Sequence, residues 1–370
     1  MRHCTRIVWF QMIPCLSKKL LIAVLTITLL SGCSIPYYWQ AARGQMRIVQ
    51  GREPVAELLT RDDLSTGLRE RLEVSQAALE FAHGEMLLPD NGSYTNYYDT
   101  GDLYIVWNVF AAPEFSLEPR TWCYLVVGCI SYRGYFSEAK ARSYSDKLAA
   151  KGADVYVSGV AAYSTLGRFR DPLLNTMLQM SEADFAGLLF HELAHQQLYI
   201  QDDSAFNEGF ATAVEAEGQR RWQQARGVTV AARTAEFMTQ KRQVMALIDG
   251  TRAKLEELYA SEIDQEQKRA RKQLLFAELK LEFIALSESW ARDGLERRPY
   301  SGLFAMELNN ASLGAVATYA DYVPAFEQLL EQCAGELDCF YERAADLGDL
   351  DADTREARIA ELVAAARKSP

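Results

Sequence analysis

Histidine is scarce in this chain, with four in 370 residues. His3 lies in a segment with the marks of a removable leader, so three remain afterwards, and two of these, His191 and His195, stand four residues apart. Such economy argues against an incidental pair. Positive charge is also short. The formal net charge is −11, and loss of residues 1–32, which carry Arg2, Arg6, Lys18 and Lys19 and no acidic residue, takes it to −11 − 4 = −15. A surface this acidic repels phosphate and excludes nucleic acid as an expected ligand. No internal repeat is evident. The apolar run at residues 20–30 is too short to cross a bilayer, which needs roughly 20 residues as helix, so a permanent transmembrane anchor is not expected.

That run is preceded by basic residues and followed by Leu30-Ser-Gly-Cys33, the pattern of a lipoprotein signal peptide cleaved before Cys33. The alternative is a buried cysteine after an ordinary signal sequence. Residues 1–11 add nothing a signal needs, which leaves Met12 as a second candidate start.

Residues 191–195 read His-Glu-Leu-Ala-His, and Glu208 follows within Phe206-Asn-Glu-Gly-Phe-Ala211. Histidines four apart on a helix face the same way and can offer imidazole nitrogens to one cation. A catalytic zinc takes three protein ligands and keeps one position open, so Glu208 is the expected third ligand and Glu192 the acid beside the metal. Apolar Phe185, Leu188, Leu189, Leu193 and Ala194 bracket the motif, placing an ionisable cluster at the edge of a core where only compensation makes it tolerable. The competing reading is a structural helix with a chance histidine pair. Ser181 is a candidate N-cap with Asp184 three residues on, and a second helix is read from Ser204 as cap to Gly218 as stop. The residues between His195 and Glu208 suit one turn and a reversal.

His191-Glu-Leu-Ala-His-Gln196 with Asn207-Glu-Gly-Phe-Ala211 and Glu215 resembles the zinc core of the gluzincin peptidases, most closely the membrane alanyl aminopeptidase type. Ala162-Tyr-Ser-Thr-Leu-Gly167, Asp171-Pro-Leu-Leu, Leu308-Asn-Asn-Ala311 and Thr318-Tyr319 resemble bacterial lipoproteins described as putative aminopeptidases, across most of the mature chain. The spacer from His195 to Glu208 is shorter than in the alanyl aminopeptidases, and their Gly-x-Met-Glu-Asn element, which recognises the substrate amine, is absent. The resemblance implies one Zn2+ per chain held by His191, His195 and Glu208, and acylation of Cys33 as a membrane anchor. Ser34, which is not acidic, points to the outer membrane, facing the periplasm.

Beyond Cys33, residues 36–40 bring consecutive aromatics that either rest on a membrane or open the fold. Residues 55–84 have helical periodicity. Strand-like segments near 103–110, 122–131 and 154–166 predict a small antiparallel sheet, and Asp171-Pro172 reads as the start of another helix. Residues 219–291 are charged and helical, a long hairpin with breaks expected at Gly227 and Gly250, and the polar tail after Asp346 is expected to fray. The fold class expected is α+β, predominantly α-helical, with a gluzincin-like zinc-helix core. Residues 33–370 form one catalytic unit: the sheet at about 85–170, the zinc helices at about 171–218 and further helices at about 219–350. With Cys4 and Cys15 in the leader and Cys33 acylated, four cysteines remain. The simplest pairing closes two short loops, Cys123 with Cys129 and Cys333 with Cys339, although four cysteines allow three connectivities and a four-cysteine zinc site is the rival.

The chemistry expected is peptide hydrolysis by metal-activated water, with Glu192 carrying the proton to the leaving amine. With no spare histidine nearby, a tyrosine is expected to stabilise the oxyanion, Tyr319 first and Tyr322 behind it. Glu215, two turns past Glu208, is a candidate to orient a zinc-bound imidazole or else a surface glutamate. Residues 159–167 suit either an edge strand that pairs with peptide substrate or ordinary sheet pairing. Tyr163 is a candidate substrate contact; Asn309 and Asn310 either bind substrate polar groups or form a turn or cap. Two rival functions stand beside the aminopeptidase: an envelope endopeptidase, and a non-catalytic envelope-binding lipoprotein on the same scaffold. Oligomeric state is not legible.

Overall fold

In the computed structural model, residues 35–124, 127–227, 231–295 and 298–366 are described. The leader reading of residues 1–32, Cys33 and its neighbour Ser34 lie outside them. The chain divides into two compact units, Met1–Gln50 and Gly51–Pro370. The described part of the first is a helix, α1 (Ile35–Gly51), which runs one residue past the division.

The second unit opens with β1 (Glu53–Pro54) and a one-turn helix α2 (Val55–Leu58). The single helix expected over 55–84 is therefore two, because the chain turns after Leu58. Helix α3 (Thr66–Gly84) starts afresh where the Ser65 side chain accepts from the Leu68 N–H.

The strands are β2 (Asn96–Tyr98), β3 (Val106–Pro113), β4 (Trp122–Tyr124), β5 (Gly128–Ile130), β6 (Arg133–Tyr135), β7 (Ala153–Val160) and β8 (Leu173–Leu174); helix α4 (Glu138–Ala149) lies between β6 and β7. An antiparallel sheet forms in the order β6-β3-β7, with Val109 opposite Arg133 and Val157. Residues 122–131 do not join it. Strands β4 and β5 pair antiparallel with each other instead, with Cys123 opposite Cys129 and bonded to it. Cys333 is bonded to Cys339, so both pairs are the adjacent ones. The helix expected at Asp171-Pro172 is also corrected, since Leu173 and Leu174 pair in parallel with β2. Asp171 does not cap forward: its carboxylate turns back to accept from the Thr165 N–H and hydroxyl.

Eight helices or turns of helix follow: α5 (Glu182–Gln197), α6 (Ser204–Ala225), α7 (Ala231–Ala260), α8 (Gln265–Arg292), α9 (Ser301–Phe304), α10 (Asn310–Ala320), α11 (Val323–Gln332) and α12 (Leu337–Gly348), and then α13 (Ala352–Ala366). Helices α7 and α8 are the long hairpin, closed over Val244, Ile248, Leu255, Phe276, Leu279 and Phe283. Gly227, at positive φ, lies just past α6, but Gly250 sits inside α7 without a break. Gly218 does not end α6 either. A Cβ there would collide with the Phe190 ring, so its bareness serves the close approach of α5 and α6. The tail expected to fray is helix α13, with Ile359 and Leu362 buried and Arg355 paired to Asp203 at 2.8 Å. The result is an α+β fold, predominantly helical, with a small antiparallel sheet. Among the described residues no helix is long and apolar enough to cross a membrane.

Candidate metal centre

Helix α5 is apolar on nearly all sides, with Phe185, Leu189, Phe190 and Leu193 fully or almost fully buried, which marks it as a core helix. Its N-terminus is capped by Ser181, which accepts from the Asp184 N–H and donates to the Asp184 carboxylate. Because the helix is enclosed, His191, Glu192 and His195 are enclosed with it, at 8%, 7% and 9% exposure.

The chain then reverses over residues 198–203 and returns as α6. Asn207 holds that reversal, accepting from the Ile200 N–H and donating to the Ile200 carbonyl, each at 2.7 Å. The helix begins on Asp203, not Ser204 as expected, because the Asp203 carboxylate accepts from the Phe206 N–H while its other oxygen pairs with Arg355. Cys129 N–H donates to Asp202 at 2.6 Å and Tyr199 to the Val127 carbonyl at 2.9 Å, tying the reversal to the disulfide-bonded strand pair. Glu208, one residue after the clasp, is thereby turned towards α5.

His191 Nε2, His195 Nε2 and Glu208 Oε2 converge. The carboxylate oxygen is 3.3 Å from the first nitrogen and 3.7 Å from the second, the nitrogens are 3.2 Å apart, and one donor atom from each of the three residues falls within 4.8 Å of the others. Glu208 Oε2 is buried without a hydrogen-bond donor. Buried lone pairs aimed at one point are costly alone and suit a shared cation. Two imidazoles and one carboxylate are a ligand set that zinc accepts, so the residues present fit the metal. His191 Nδ1 lies 3.1 Å from Glu215 Oε2, so its far side is held by a carboxylate two turns along α6.

Electrostatics follow from enclosure. Burial pushes the Glu192 carboxyl up to about 8, with Glu208, Asp171 and Glu215 adding to the rise and His191 opposing it. Burial drives His195 down to about 4. For His191 burial acts downward, but contact with Glu208 and Glu215 prevails and raises it. Glu208 is held below the usual carboxylate range by the two histidines, against burial. Glu192 has no hydrogen-bond donor among the described residues, and its charged neighbours are His191, Glu208, Asp171 and Glu215.

Tyr319, near the C-terminal end of α10, is partly buried with Glu208 and Glu192 among its charged neighbours, and desolvation raises its hydroxyl well above the usual value. Tyr322 faces elsewhere, its charged neighbours being Asp203, Glu356, Asp321 and Arg355. Asn309 and Asn310 lie at the opposite end of α10, roughly 13 Å along the axis from Tyr319 at 1.5 Å per residue. Of their two readings, substrate contact or turn and cap, the structure shows the cap for Asn309. Asn309 caps α10 and donates to the Val155 carbonyl, and Asn310 is fully buried, donating to the Pro113 and Glu114 carbonyls and accepting from Tyr259. Tyr163 rests edge-on against Phe136 at 5.6 Å and lies within electrostatic reach of Tyr94. Of residues 159–167, only the first two continue β7, an edge strand, and the rest is a loop.

Sequence reasoning missed the clasp of Asn207, although its place directly before the third ligand was a signal, and it misread Asp171. It also missed Tyr94, which a turn holds at positive φ with its hydroxyl buried and without a partner, in reach of Glu192 and Asp171. Nothing local in Gly92-Ser-Tyr94 announces that placement. A family model described as "Putative aminopeptidase" matches residues 36–359. None of the curated proteins and none of the solved structures compared matches the chain.

Proposed function

The chain belongs to the putative aminopeptidase family, and from its buried histidine-histidine-glutamate triad we propose that it is a zinc metallopeptidase that removes N-terminal residues from peptides. The observation that carries the reading is convergence of His191, His195 and Glu208 beside the unpaired acid Glu192. Bound there, zinc supplies a Lewis acid and lowers the pKa of water towards about 7.

The protein's own residues do the rest. Glu192 accepts a proton from the attacking water and delivers it to the departing amine, a transfer typically worth about 10²–10⁴ in rate. Tyr319 donates a hydrogen bond to the carbonyl oxygen as it gains charge. Glu215 fixes the His191 ring through Nδ1, and the enclosed walls of α5 and α6 keep bulk water from competing.

The site of action we propose is the periplasmic face of a bacterial outer membrane, with the chain anchored by acyl groups on Cys33. The leader pattern supports this, as do two disulfides, which persist in oxidising compartments. Incorporation of labelled palmitate that disappears in Cys33→Ser would bear it out.

The enzymatic reading is tested by metal analysis and peptide hydrolysis together. Wild type should hold one zinc and cleave a free-amine peptide; His191→Ala and Glu208→Ala should lose the metal; Glu192→Gln should keep it and lose activity by about 10²–10⁴. Stoichiometric zinc with no cleavage of any peptide in a broad library would replace the enzyme with a binding protein.

A further inference from the structure

The charges around the triad do not balance by themselves. A dication held by His191, His195 and Glu208 leaves one positive charge, which Glu192 offsets. Glu215 is partly open to water and hydrogen-bonded to His191. Asp171 remains, 1% exposed and close enough to Glu192 to act on it electrostatically.

Every donor that Asp171 has among the described residues is neutral. Oδ2 accepts from the Thr165 N–H at 2.9 Å, the Ser164 hydroxyl at 3.3 Å and the Gln196 amide at 3.5 Å, Oδ1 accepts from the Thr165 hydroxyl at 2.5 Å, and the Gly167 N–H also donates to the carboxylate. A buried carboxylate without a cation is expensive, and natural interiors seldom keep one without a use.

Tyr94 stands at the same place by separate means. Its N–H donates to the Asp171 carbonyl at 2.6 Å, and the Ser93 hydroxyl accepts from the Asp171 N–H at 3.2 Å. Its side chain is 2% exposed, and its hydroxyl has no partner among the described residues although Glu192, Asp171 and Tyr163 surround it. A phenol sealed in this way ordinarily finds a partner. Gln196, the residue after His195, joins the cluster to the zinc helix through Asn91 at 2.6 Å.

We propose that the Tyr94 hydroxyl, Asp171 and Glu192 together form the subsite for the free α-ammonium group of the peptide substrate. An ammonium supplies the missing positive charge beside the Asp171 carboxylate, donates to the unpartnered Tyr94 oxygen, and fixes the first peptide bond beside the metal. A substrate presenting a carboxylate there would be repelled by two acids, so trimming from the C-terminus is excluded by the same charges. This rests on the peptidase reading above and names the residues that would make it an aminopeptidase.

The experiment compares a short alanine peptide with its N-acetylated twin in wild type, Tyr94→Phe and Asp171→Asn, all loaded with zinc and checked for metal content and melting temperature. Wild type should favour the free amine at least 100-fold in kcat/KM, and each variant should cut that ratio at least tenfold, chiefly through KM for the free peptide. Tyr94→Phe removes one oxygen and preserves packing, so it decides the matter if Asp171→Asn folds poorly. Calorimetric binding of alaninamide supplies a readout independent of turnover, and Tyr94→Phe should weaken it at least tenfold. Unchanged ratios, parallel loss on both peptides with zinc retained, or no difference in wild type between the twins would overturn the subsite. If wild type cleaves neither peptide, the peptidase reading fails, and alaninamide binding alone decides: binding weakened in Tyr94→Phe sustains an ammonium site, and no binding removes it.

Discussion

His191 Nδ1 lies 3.1 Å from Glu215 Oε2, whereas His195 Nδ1 is buried with no partner among the described residues. The two histidines are therefore held unequally, and one carboxylate orients the His191 ring. Glu215→Ala should weaken zinc binding about 10–100-fold, and Glu215→Gln, which keeps an acceptor oxygen but no charge, should fall at the lower end. Competition with a chromogenic chelator measures both; affinity equal to wild type would show that the pair does not support the metal.

Two glycines set how closely α5 and α6 approach, and they should respond differently to a methyl group. A Cβ on Gly187 would collide with the Gln219 side chain, which can rotate aside, while one on Gly218 would collide with the buried Phe190 ring. Helix propensity favours alanine by about 1 kcal/mol at both positions. Overpacking costs about 1–3 kcal/mol where neighbours cannot yield, so Gly218→Ala should be net destabilising and Gly187→Ala nearly neutral. Phe190 directly precedes His191, so Gly218→Ala should also loosen zinc. Urea unfolding and metal titration of the two variants check this, and equal behaviour would contradict it.

The clustering of His191 with His195 was legible because a helix makes residues four apart neighbours, and because histidine is so little used that the pair stands out. The disulfide pairing was legible from short loops. Asp171 was misread because aspartate before proline signals a helix start by local rules, whereas here a long-range partner, the 164–165 loop, captures the carboxylate. Gly218 was misread for a similar reason: glycine as a stop and glycine as a contact point look alike until Phe190 is placed. Arg355 and Asp203 are 152 residues apart, so no periodicity in the tail could have shown that α13 supports the start of the third-ligand helix. Tyr94 reaches the site through a turn, and turns carry little information about what lies across a cavity.

Each disulfide closes a short loop, and the chain-entropy relation gives about 2 kcal/mol for a loop of roughly seven residues. Cys333→Ser with Cys339→Ser should lower stability by about that amount and leave the metal centre unaffected. Cys123→Ser with Cys129→Ser should do the same to stability but also weaken zinc binding, since the Cys129 N–H holds Asp202 in the reversal before the third ligand. Thermal unfolding beside metal titration distinguishes them; identical zinc affinity in both double variants would sever the link between the β4–β5 pair and the site.

Glu217, on α6, accepts from Arg220 and Arg221 at 2.7 Å each, and Arg221 also donates to the Gly335 carbonyl within the Cys333–Cys339 loop. Burial acts to raise its carboxyl, but the two guanidinium groups prevail and hold it below the usual range. A carboxyl with a lowered folded-state pKa binds protons more readily when unfolded, so its contribution to stability is complete above the unfolded value of about 4.3 and is lost as pH falls through the folded value. Glu217→Gln removes that contribution. The stability gap between wild type and Glu217→Gln should therefore be constant from pH 7 to about pH 5.5 and close progressively below about pH 4.5. Any bound metal would be lost alike from both proteins on acidification, so it cancels in the difference. Urea unfolding at several pH values reads the gap directly, and a gap that stays level to pH 3 would mean that the arginines contribute packing to this end of α6 and not charge.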